Sequence, residues 1–250
     1  MELRTLEIFC KPDSYAKYAQ SPFINGDYVL ATDAHIAVYV NKEMVDGVEK
    51  LKTLEKDYIG VLKQVDGTQV YNTKIKLESL LDALKQIKLD DNDSHFCPDC
   101  KGKGVVDFEY VDVQHYHTHI ITDTCPMCNG AGDNKNYEYS DVLGMWFDKT
   151  DNGIRIKDCK FNPIYIDKLI QLMRDCDVDE CIFVCGNPSK SCHFNIMEGV
   201  NVVIMPFVGD DASVIIDVEC IDILLDAESK EKLEKYNELQ KELKESGLIK

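Results

Sequence analysis

The chain has 250 residues, a formal net charge of −17 at pH 7 and 44% hydrophobic residues. That length can bury a core without covalent cross-links, and no apolar run approaches the ~20 residues that a transmembrane helix needs. The only arginines are Arg4, Arg155 and Arg174, which excludes a protein whose whole surface binds phosphates but allows a local basic face. The first residues carry no apolar signal segment, so we expect a cytoplasmic protein with no membrane association.

Residues 1–94 predict strands followed by one helix. Residues 28–40 read YVLATDAHIAVYV, and this β-branched and aromatic run predicts one long strand or a strand pair bent at residues 32–35. A set of leucines then follows the i, i+3, i+4, i+7 spacing of an amphipathic helix: Leu77, Leu80, Leu81 and Leu84. We take 1–94 as the first half of the fold.

Residues 95–135 carry the motif C-P-x-C-x-G-x-G twice, as CPDCKGKG and as CPMCNGAG. Two residues between cysteines let both thiolates face one metal ion, and the glycines permit a tight turn. The alternating stretch between the motifs predicts a β-hairpin. We interpret the segment as an inserted zinc-binding hairpin whose ligands are Cys97, Cys100, Cys125 and Cys128.

Four thiolates are the closed tetrahedral set of a structural zinc site, with one Zn²⁺ per chain and no open position for catalysis. An iron–sulfur centre or a pair of redox dithiols is the alternative, because a four-thiolate set alone does not exclude iron. His115, His117 and His119 share one strand face between the motifs. They form a second metal site or, more simply, an exposed hydrogen-bonding group at the hairpin tip.

Residues 136–225 repeat the order of strands, helix and strands. Asn152-Gly153 between two strand-like runs predicts a hairpin, and Asn162-Pro163 predicts the start of a helix. The apolar face of that helix comprises Ile166, Leu169, Ile170 and Met173. Three strands are predicted after it, at 180–185, 191–196 and 200–205.

Residues 226–250 predict a charged helix, which is either solvated or used for a partner or for self-association. Together the elements predict an α+β fold in which repeats of antiparallel strands with one helix each are interrupted by the zinc-binding hairpin. No glycine-rich phosphate loop, nucleophile motif or distinctive pair of acids is found in the sequence. We therefore expect a protein that is not an enzyme.

The cysteine motifs resemble the zinc finger of the DnaJ class of Hsp70 co-chaperones, whose repeat is C-x-x-C-x-G-x-G. The resemblance covers residues 97–132, with two repeats where that family usually has four, and the chain contains no His-Pro-Asp tripeptide of a J-domain. Chaperone activity is therefore not implied. What the resemblance implies is an adaptor or co-chaperone-like module in which the finger binds polypeptide.

Two other blocks resemble bacterial DNA polymerase sliding clamps. VLATDAHIAVYV is similar to the family's A-T-D-G-H-R-L-A segment, although Gly-His-Arg is replaced here by Ala34-His35-Ile36. FNPIYIDKLIQLM and the strands that end in VNVVIMPF are similar to the closing helix and strands of a clamp's last domain. This resemblance implies a DNA-clamp-like fold and a non-catalytic role in DNA replication or metabolism. The implied partners are duplex DNA, replication proteins and further copies of the chain.

In the clamp family these blocks form a cleft for short peptides of partner proteins. Carried over by position, the candidate cleft residues are Thr32, Asp33, Ala34, His35, Ile36, Val203, Met205, Pro206 and Phe207. Simpler interpretations make Ile36 and Val203 core residues, Asp33 a turn cap and His35 a structural histidine.

A clamp-like body also predicts basic side chains on the helix faces that would line a DNA channel. The DNA-facing candidates are Lys74, Lys76, Lys85 and Lys88 on the first predicted helix, and Lys168 and Arg174 on the second. The net charge of −17 makes any such contact local.

Overall fold

The computed structural model describes residues 1–62, 71–87, 89, 95–112, 117–134, 136–148, 152–185, 190–207 and 214–222. The α-helices are α1 (Leu3–Glu7), α2 (Ile59–Leu62), α3 (Leu77–Lys85) and α4 (Pro163–Asp175), and 3₁₀ turns cover Lys17–Ala19, Lys42–Met44 and Val48–Lys50. The strands are β1 (Phe23–Asn25), β2 (Tyr28–Thr32), β3 (Ile36–Asn41), β4 (Tyr71–Lys76), β5 (Val105–Asp112), β6 (His117–Thr124), β7 (Tyr137–Ser140), β8 (Met145–Asp148), β9 (Asn152–Ile156), β10 (Cys159–Phe161), β11 (Glu180–Cys185), β12 (Cys192–Met197), β13 (Val200–Ile204), β14 (Val214–Asp217) and β15 (Ile221–Asp222). Mostly antiparallel sheets with few helices confirm the predicted α+β class.

The chain divides into two compact units. Unit 1 comprises Met1–Leu77, Cys176–Pro206 and Glu219–Lys250, and unit 2 comprises Glu78–Asp175 and Phe207–Val218. The division into 1–94, 95–135, 136–225 and 226–250 stays a prediction. The predicted helix at 226–250 lies outside the described residues.

Unit 1 is built on an eight-stranded sheet with the order β1-β2-β3-β13-β12-β11-β4-β15, in which all neighbours are antiparallel. The pair β2–β3 confirms the bent alternative for residues 28–40. One face of the sheet carries a buried cluster of Phe23, Leu30, Tyr39, Ile59 and Val203. Leu54 and Tyr58 pack against this cluster, so the segment around them covers that face.

Asn25 fixes this covering segment to the sheet. Its side-chain amide donates to the carbonyls of Leu54 (2.9 Å) and Lys56 (2.7 Å). Its Oδ1 accepts from the amides of Tyr58 and Ile59, each at 3.1 Å. Because Asn25 is buried, these bonds satisfy all the polar atoms of its side chain where water cannot reach them.

Unit 2 contains α3, α4, the hairpins β5–β6 and β7–β8, and a three-stranded sheet of order β10-β9-β14. Helix α4 begins where the sequence predicts, since Oδ1 of Asn162 accepts from the amide of Ile164 at 3.1 Å. The predicted apolar face of α4 is fully buried. So is Asp167, which accepts hydrogen bonds from the hydroxyl of Ser140, the amide of Val142 and the side chain of Gln171.

The hairpin predicted at Asn152-Gly153 is wrong. Both residues lie inside β9, which pairs with β10 and β14, whereas β8 pairs with β7. Asn152 is buried, and its side chain donates a hydrogen bond to the carbonyl of Asp148 at 2.8 Å. The residue therefore links β8 and β9 through its side chain and does not form the turn of a hairpin. The turn that closes β9–β10 contains Lys157, with φ of 54°.

The placement of Lys74 and Lys76 on a helix is also wrong. They lie on β4, and α3 starts at Leu77. Ile75 between them is buried, so the alternating pattern of a strand continues up to the helix. In the described part of the chain, no helix is long and apolar enough to cross a membrane.

Candidate metal centre and candidate peptide cleft

Each of the two cysteine motifs folds as a tight turn, called a knuckle below. The two knuckles lie in unit 2 and are joined to each other by hydrogen bonds. The amide of Cys97 donates to the carbonyl of Gly132 (2.7 Å), and the amide of Cys125 donates to the carbonyl of Gly104 (2.9 Å). Each motif thus starts with a hydrogen bond to the final glycine of the other. This exchange gives the pair an approximate two-fold arrangement and directs both pairs of thiols inward.

The four thiols have the spacing of a tetrahedral metal site. Their sulfur atoms all lie within 4.8 Å of one another, and the four cysteines are buried. Sγ of Cys97 is 3.8 Å from Sγ of Cys125, and Sγ of Cys100 is 3.7 Å from Sγ of Cys128. An ion with Zn–S bonds of ~2.3 Å in tetrahedral geometry would separate its sulfur ligands by ~3.8 Å. The group therefore fits one metal ion of this size.

Backbone amides favour the thiolate form that a metal requires. The amide of Gly104 donates to Sγ of Cys100 and the amide of Gly132 donates to Sγ of Cys128, each at 3.2 Å. Burial by itself would raise the pKa of Cys128, but the hydrogen bond from Gly132 and those from its neighbours outweigh burial and lower this pKa. The pKa of Cys125 is raised, because the hydrogen bonds from the backbone are outweighed by burial and by the hydrogen bonds with the side chains of Cys128 and Cys97. Both glycines adopt positive φ, a conformation that favours glycine.

The two cysteine motifs and the hairpin between them, residues 97–132, are called the metal module below. Aromatic contacts connect this module to the rest of unit 2. The ring of His95 stacks on Trp146 of β8 with a centroid distance of 4.8 Å and an interplanar angle of 8°. Trp146 in turn meets Tyr139 edge-on at 5.5 Å. Phe96 lies over the first knuckle, and a Cβ at Gly102 would be 2.9 Å from its ring. The stacking of His95 on Trp146 thus fixes the module against β8, close in sequence to its first cysteine, Cys97.

The hairpin β5–β6 presents an exposed apolar face, which the sequence interpretation did not single out. Phe108 pairs with Ile121 and Tyr110 pairs with His119, so these side chains share one face. Phe108, Tyr110 and Ile121 are each about half exposed (46%, 48% and 50%), and Tyr110 stacks on His119 at 5.2 Å. Val106 on the same face packs against the cysteines. The period-two spacing of Val106, Phe108 and Tyr110 is the sequence signal for this face.

The three histidines were predicted as one group at the hairpin tip. His115 lies outside the described residues, as does the side chain of His117. His119 is exposed and stacks on Tyr110. The choice between a second metal site and an exposed group stays open for these residues.

The residues carried over from the clamp resemblance form a tight turn in unit 1. Oδ1 of Asp33 accepts from the amides of His35 and Ile36, each at 2.9 Å, as a turn cap does. The Thr32 hydroxyl donates to the carbonyl of Ile36 at 2.7 Å. Ala34 has φ of 81°, a conformation that favours glycine.

The second candidate block, which begins at the end of β13, is hydrogen-bonded to this turn. Ile204 pairs with Ile36, and the amide of Met205 donates to the carbonyl of His35 at 2.8 Å. His35 and Met205 are exposed, Met205 by 44%. Ile36 and Val203 are buried, as their interpretation as core residues predicts.

Two further candidates complete this block. Pro206, the last residue of this segment in unit 1, is buried. Phe207 belongs to unit 2, where its amide donates to the carbonyl of Lys160. Its assignment to the cleft stays a prediction.

Several of the basic candidates have local partners. Lys74 forms a 2.6 Å ion pair with Glu180, and Lys85 forms a 3.1 Å pair with Asp82. Lys168 lies 6.0 Å from the centre of the Tyr165 ring. Lys76 and Arg174 are exposed, and Lys88 lies outside the described residues. A DNA-facing role for these six residues stays a prediction.

Comparison with known proteins gave structural similarity alone, since no family model and no curated protein matches the chain. A beta sliding clamp of Caulobacter crescentus is 10% identical with a TM-score of 0.43, over 83% of this chain and 63% of that chain. The Helicobacter pylori beta clamp bound to a DNA ligase peptide is 11% identical with a TM-score of 0.41, over 83% and 62%. The DNA polymerase III subunit beta of Pseudomonas aeruginosa gives 11% and 0.41, over 82% and 63%. This chain spans less than two thirds of the length of these clamp chains.

Proposed function

We propose that the protein is a non-catalytic, clamp-like binding protein of DNA metabolism that receives a short peptide of a partner protein beside His35 and Met205. The observation that carries the proposal is the hydrogen bond from Met205 to His35, because it joins two blocks that lie about 170 residues apart in the sequence. An exposed methionine next to a buried apolar floor suits an apolar peptide side chain, since methionine adapts its shape to what it binds.

The metal module is proposed to hold one structural Zn²⁺ through Cys97, Cys100, Cys125 and Cys128. Support comes from their mutual spacing and from the amides that donate to two of the sulfur atoms. When bound, the ion would cross-link the two knuckles and leave no coordination position for a substrate. Reduced thiols are required, which fits the proposed cytoplasmic location.

Duplex DNA and further copies of the chain are the other proposed partners. Exposed Lys76 and Arg174 are the most available of the basic candidates, because the charges of Lys74 and Lys85 are offset by acidic neighbours. With a net charge of −17, binding to DNA would be weak and would fall steeply with salt.

A peptide titration tests the proposed cleft. The probe is a fluorescent copy of the DNA ligase peptide bound by the Helicobacter pylori clamp, and its anisotropy is followed as the full chain is added. Met205→Asp should weaken binding roughly tenfold or more, since it places a charge on the apolar contact. Met197→Asp is the matched control, because Met197 is 41% exposed on the same sheet away from the turn. No binding, or equal loss in both variants, would refute the proposal.

A second titration tests the DNA contact. Labelled duplex DNA is added at low salt, and affinity is compared for the wild type, Lys76→Ala and the control Lys17→Ala, which changes an exposed lysine of a 3₁₀ turn. We expect Lys76→Ala to weaken binding and to reduce the slope of log affinity against log salt concentration by about one unit. The control Lys17→Ala should change neither quantity. The absence of any binding at low salt would rule out the DNA contact.

The exposed hairpin face favours a second candidate function, capture of an apolar polypeptide segment by an adaptor-like finger. Phe108, Tyr110 and Ile121 together offer aromatic and aliphatic surface on one face. Phe108→Asp should abolish binding of reduced, unfolded α-lactalbumin, measured by anisotropy. Ile120→Asp is the control, because Ile120 is 69% exposed on the opposite face of the same hairpin. Binding that survives Phe108→Asp would count against this candidate.

A further inference from the structure

Two buried thiols of unit 1 lie in contact across neighbouring strands. Sγ of Cys185 is 3.1 Å from Sγ of Cys192, and neither side chain is exposed. This is closer than the roughly 3.5–4.0 Å optimum of non-bonded heavy atoms. The pair is separate from the four cysteines of the metal module, which belong to unit 2.

The strand register brings the two cysteines together. β11 and β12 are antiparallel, with Ile182 opposite Asn195, Phe183 opposite Phe194 and Val184 opposite His193. The next opposed pair in this register is Cys185 with Cys192. Opposed residues of antiparallel strands have Cα atoms ~4.5–5.5 Å apart, and disulfides span Cα separations of ~4.4–6.8 Å. The Cα separation of an opposed pair thus falls within the range that disulfides span.

We propose that Cys185 and Cys192 form a reversible disulfide when the protein meets a hydroperoxide. One thiol attacks a peroxide oxygen and becomes a sulfenic acid, with release of one water if the oxidant is hydrogen peroxide. The second thiol displaces the sulfenic hydroxyl as a second water, and the S–S bond forms. Two thiols are oxidised, one peroxide is reduced to two waters, and a dithiol reductant reverses the step.

The pair lies at one end of the two strands that carry it. Cys185 is the last residue of β11 and Cys192 is the first residue of β12, so both thiols lie at the end of the strand pair. Sγ of Cys192 is 3.8 Å from the carbonyl oxygen of Lys190, and Lys190 is exposed. A bond at this place would join two strands in the interior of the eight-stranded sheet, beside Ile204 of β13.

Cys181 provides the matched control. It lies four residues earlier on β11 and is also buried. Burial raises the pKa of its thiol to about 12, so it stays protonated at neutral pH. Cys181→Ala thus removes a buried thiol from the same strand and leaves the proposed pair intact.

The test uses the full zinc-loaded chain treated with hydrogen peroxide, then denatured and alkylated. We expect the number of free thiols to fall by two from eleven, with full recovery after dithiothreitol. Trypsin cleaves after Lys190, so the peptides that carry Cys185 and Cys192 stay linked only when a disulfide joins them. The first peptide also contains Cys176 and Cys181 and the second also contains Cys220. Fragmentation of the linked peptides identifies the two cysteines in the wild-type protein, whether or not any variant folds.

The variants distinguish a disulfide between Cys185 and Cys192 from oxidation of other thiols in the chain. Cys185→Ala and Cys192→Ala should each abolish the loss of two thiols, and Cys181→Ala should leave it unchanged. Intact free thiols after peroxide treatment, or a linkage of either residue to another cysteine, would overturn the proposal. A lower metal content in Cys185→Ala or Cys192→Ala would overturn it too, because the thiols would then serve as metal ligands.

Discussion

Gly104 lies directly against Gly130, such that a Cβ added to Gly104 would be 2.4 Å from the carbonyl oxygen of Gly130. The relationship is reciprocal, because a Cβ at Gly132 would be 2.6 Å from the carbonyl oxygen of Gly102. In both cases the obstacle is backbone, which cannot move aside as a flexible side chain can. The glycines of the motif therefore allow the two knuckles to approach each other closely enough to share one metal ion.

Gly104→Ala should weaken zinc binding. The substitution combines a backbone clash with a φ of +74°, and we expect a cost of about 2 kcal/mol or more to the metal-bound module. Zinc affinity is measured by competition with a chromogenic chelator. Gly144→Ala is the control, since Gly144 has a φ of +69° but its Cβ would meet nothing closer than the Tyr139 hydroxyl at 3.8 Å. Equal affinities for the two variants would contradict the close approach of the two knuckles.

Removal of the metal should unfold the module and leave unit 1 folded. The buried cluster of the module consists of the four cysteines with Val106 packed against them, so little apolar burial remains without the ion. Hydrogen exchange with and without a strong chelator measures this, and the protection of residues 97–132 should be lost. Simultaneous loss of protection in β11–β13 would show that the metal supports the whole chain.

Asp167→Ala should destabilise the protein by about 3 kcal/mol, because it leaves Ser140, Val142 and Gln171 without their buried acceptor. The change is read from urea unfolding. Asp175→Ala at the exposed end of the same helix should stay within about 0.5 kcal/mol of the wild type. A small effect for Asp167→Ala would mean that water replaces its hydrogen bonds.

Ala34→Gly should stabilise unit 1 by about 0.5–1 kcal/mol. Ala34 has φ of 81°, and glycine removes the clash of Cβ with the backbone while losing more entropy on folding. Thermal or urea unfolding gives the sign. Ala31→Gly in the buried strand β2 should have the opposite sign. A destabilised Ala34→Gly variant would indicate that the Cβ makes contacts that outweigh the strain.

Alkaline pH should lower stability through Cys181. Burial raises its folded pKa from 9.0 to about 12, so the contribution to stability is complete below pH 9 and is lost as the pH rises toward 12. At pH 10 the expected loss is on the order of 1 kcal/mol relative to neutral pH. The measurement compares urea unfolding of the wild type and Cys181→Ala across this range. Parallel curves for the two proteins would refute the assignment.

The elements that the sequence predicted correctly are those with local signals. The leucine spacing before Lys85 and the cap at Asn162 depend on neighbours within one or two turns, and both helices form, although α3 starts only at Leu77. The Asn152-Gly153 hairpin failed because a distant strand, β14, pairs with β9 and keeps these residues extended. Local turn preference was outweighed by a contact that no short window contains.

The same distinction holds for the candidate sites. The ligand group at Cys97 and Cys125 followed from motif spacing. The contact of Cys185 with Cys192 requires the register of β11 and β12, and the exposed face at Phe108 requires the pairing of β5 with β6. Spacing along the chain identifies a group of cysteines that could hold a metal ion, whereas pairing between strands decides which other side chains meet.

The parallel pairing of β14 with β9 has a consequence for the order of events during synthesis. Arg155 and Asp217, which form an ion pair at 2.5 Å, are 62 residues apart, whereas Cys97 and Cys125 are 28 apart. The metal module can therefore close while the ribosome is still making α4, and the sheet of unit 2 has to wait for its last strand until the chain has passed through β11–β13. A nascent chain stopped before residue 214 should already bind zinc while the edge of β9 remains open to other strands.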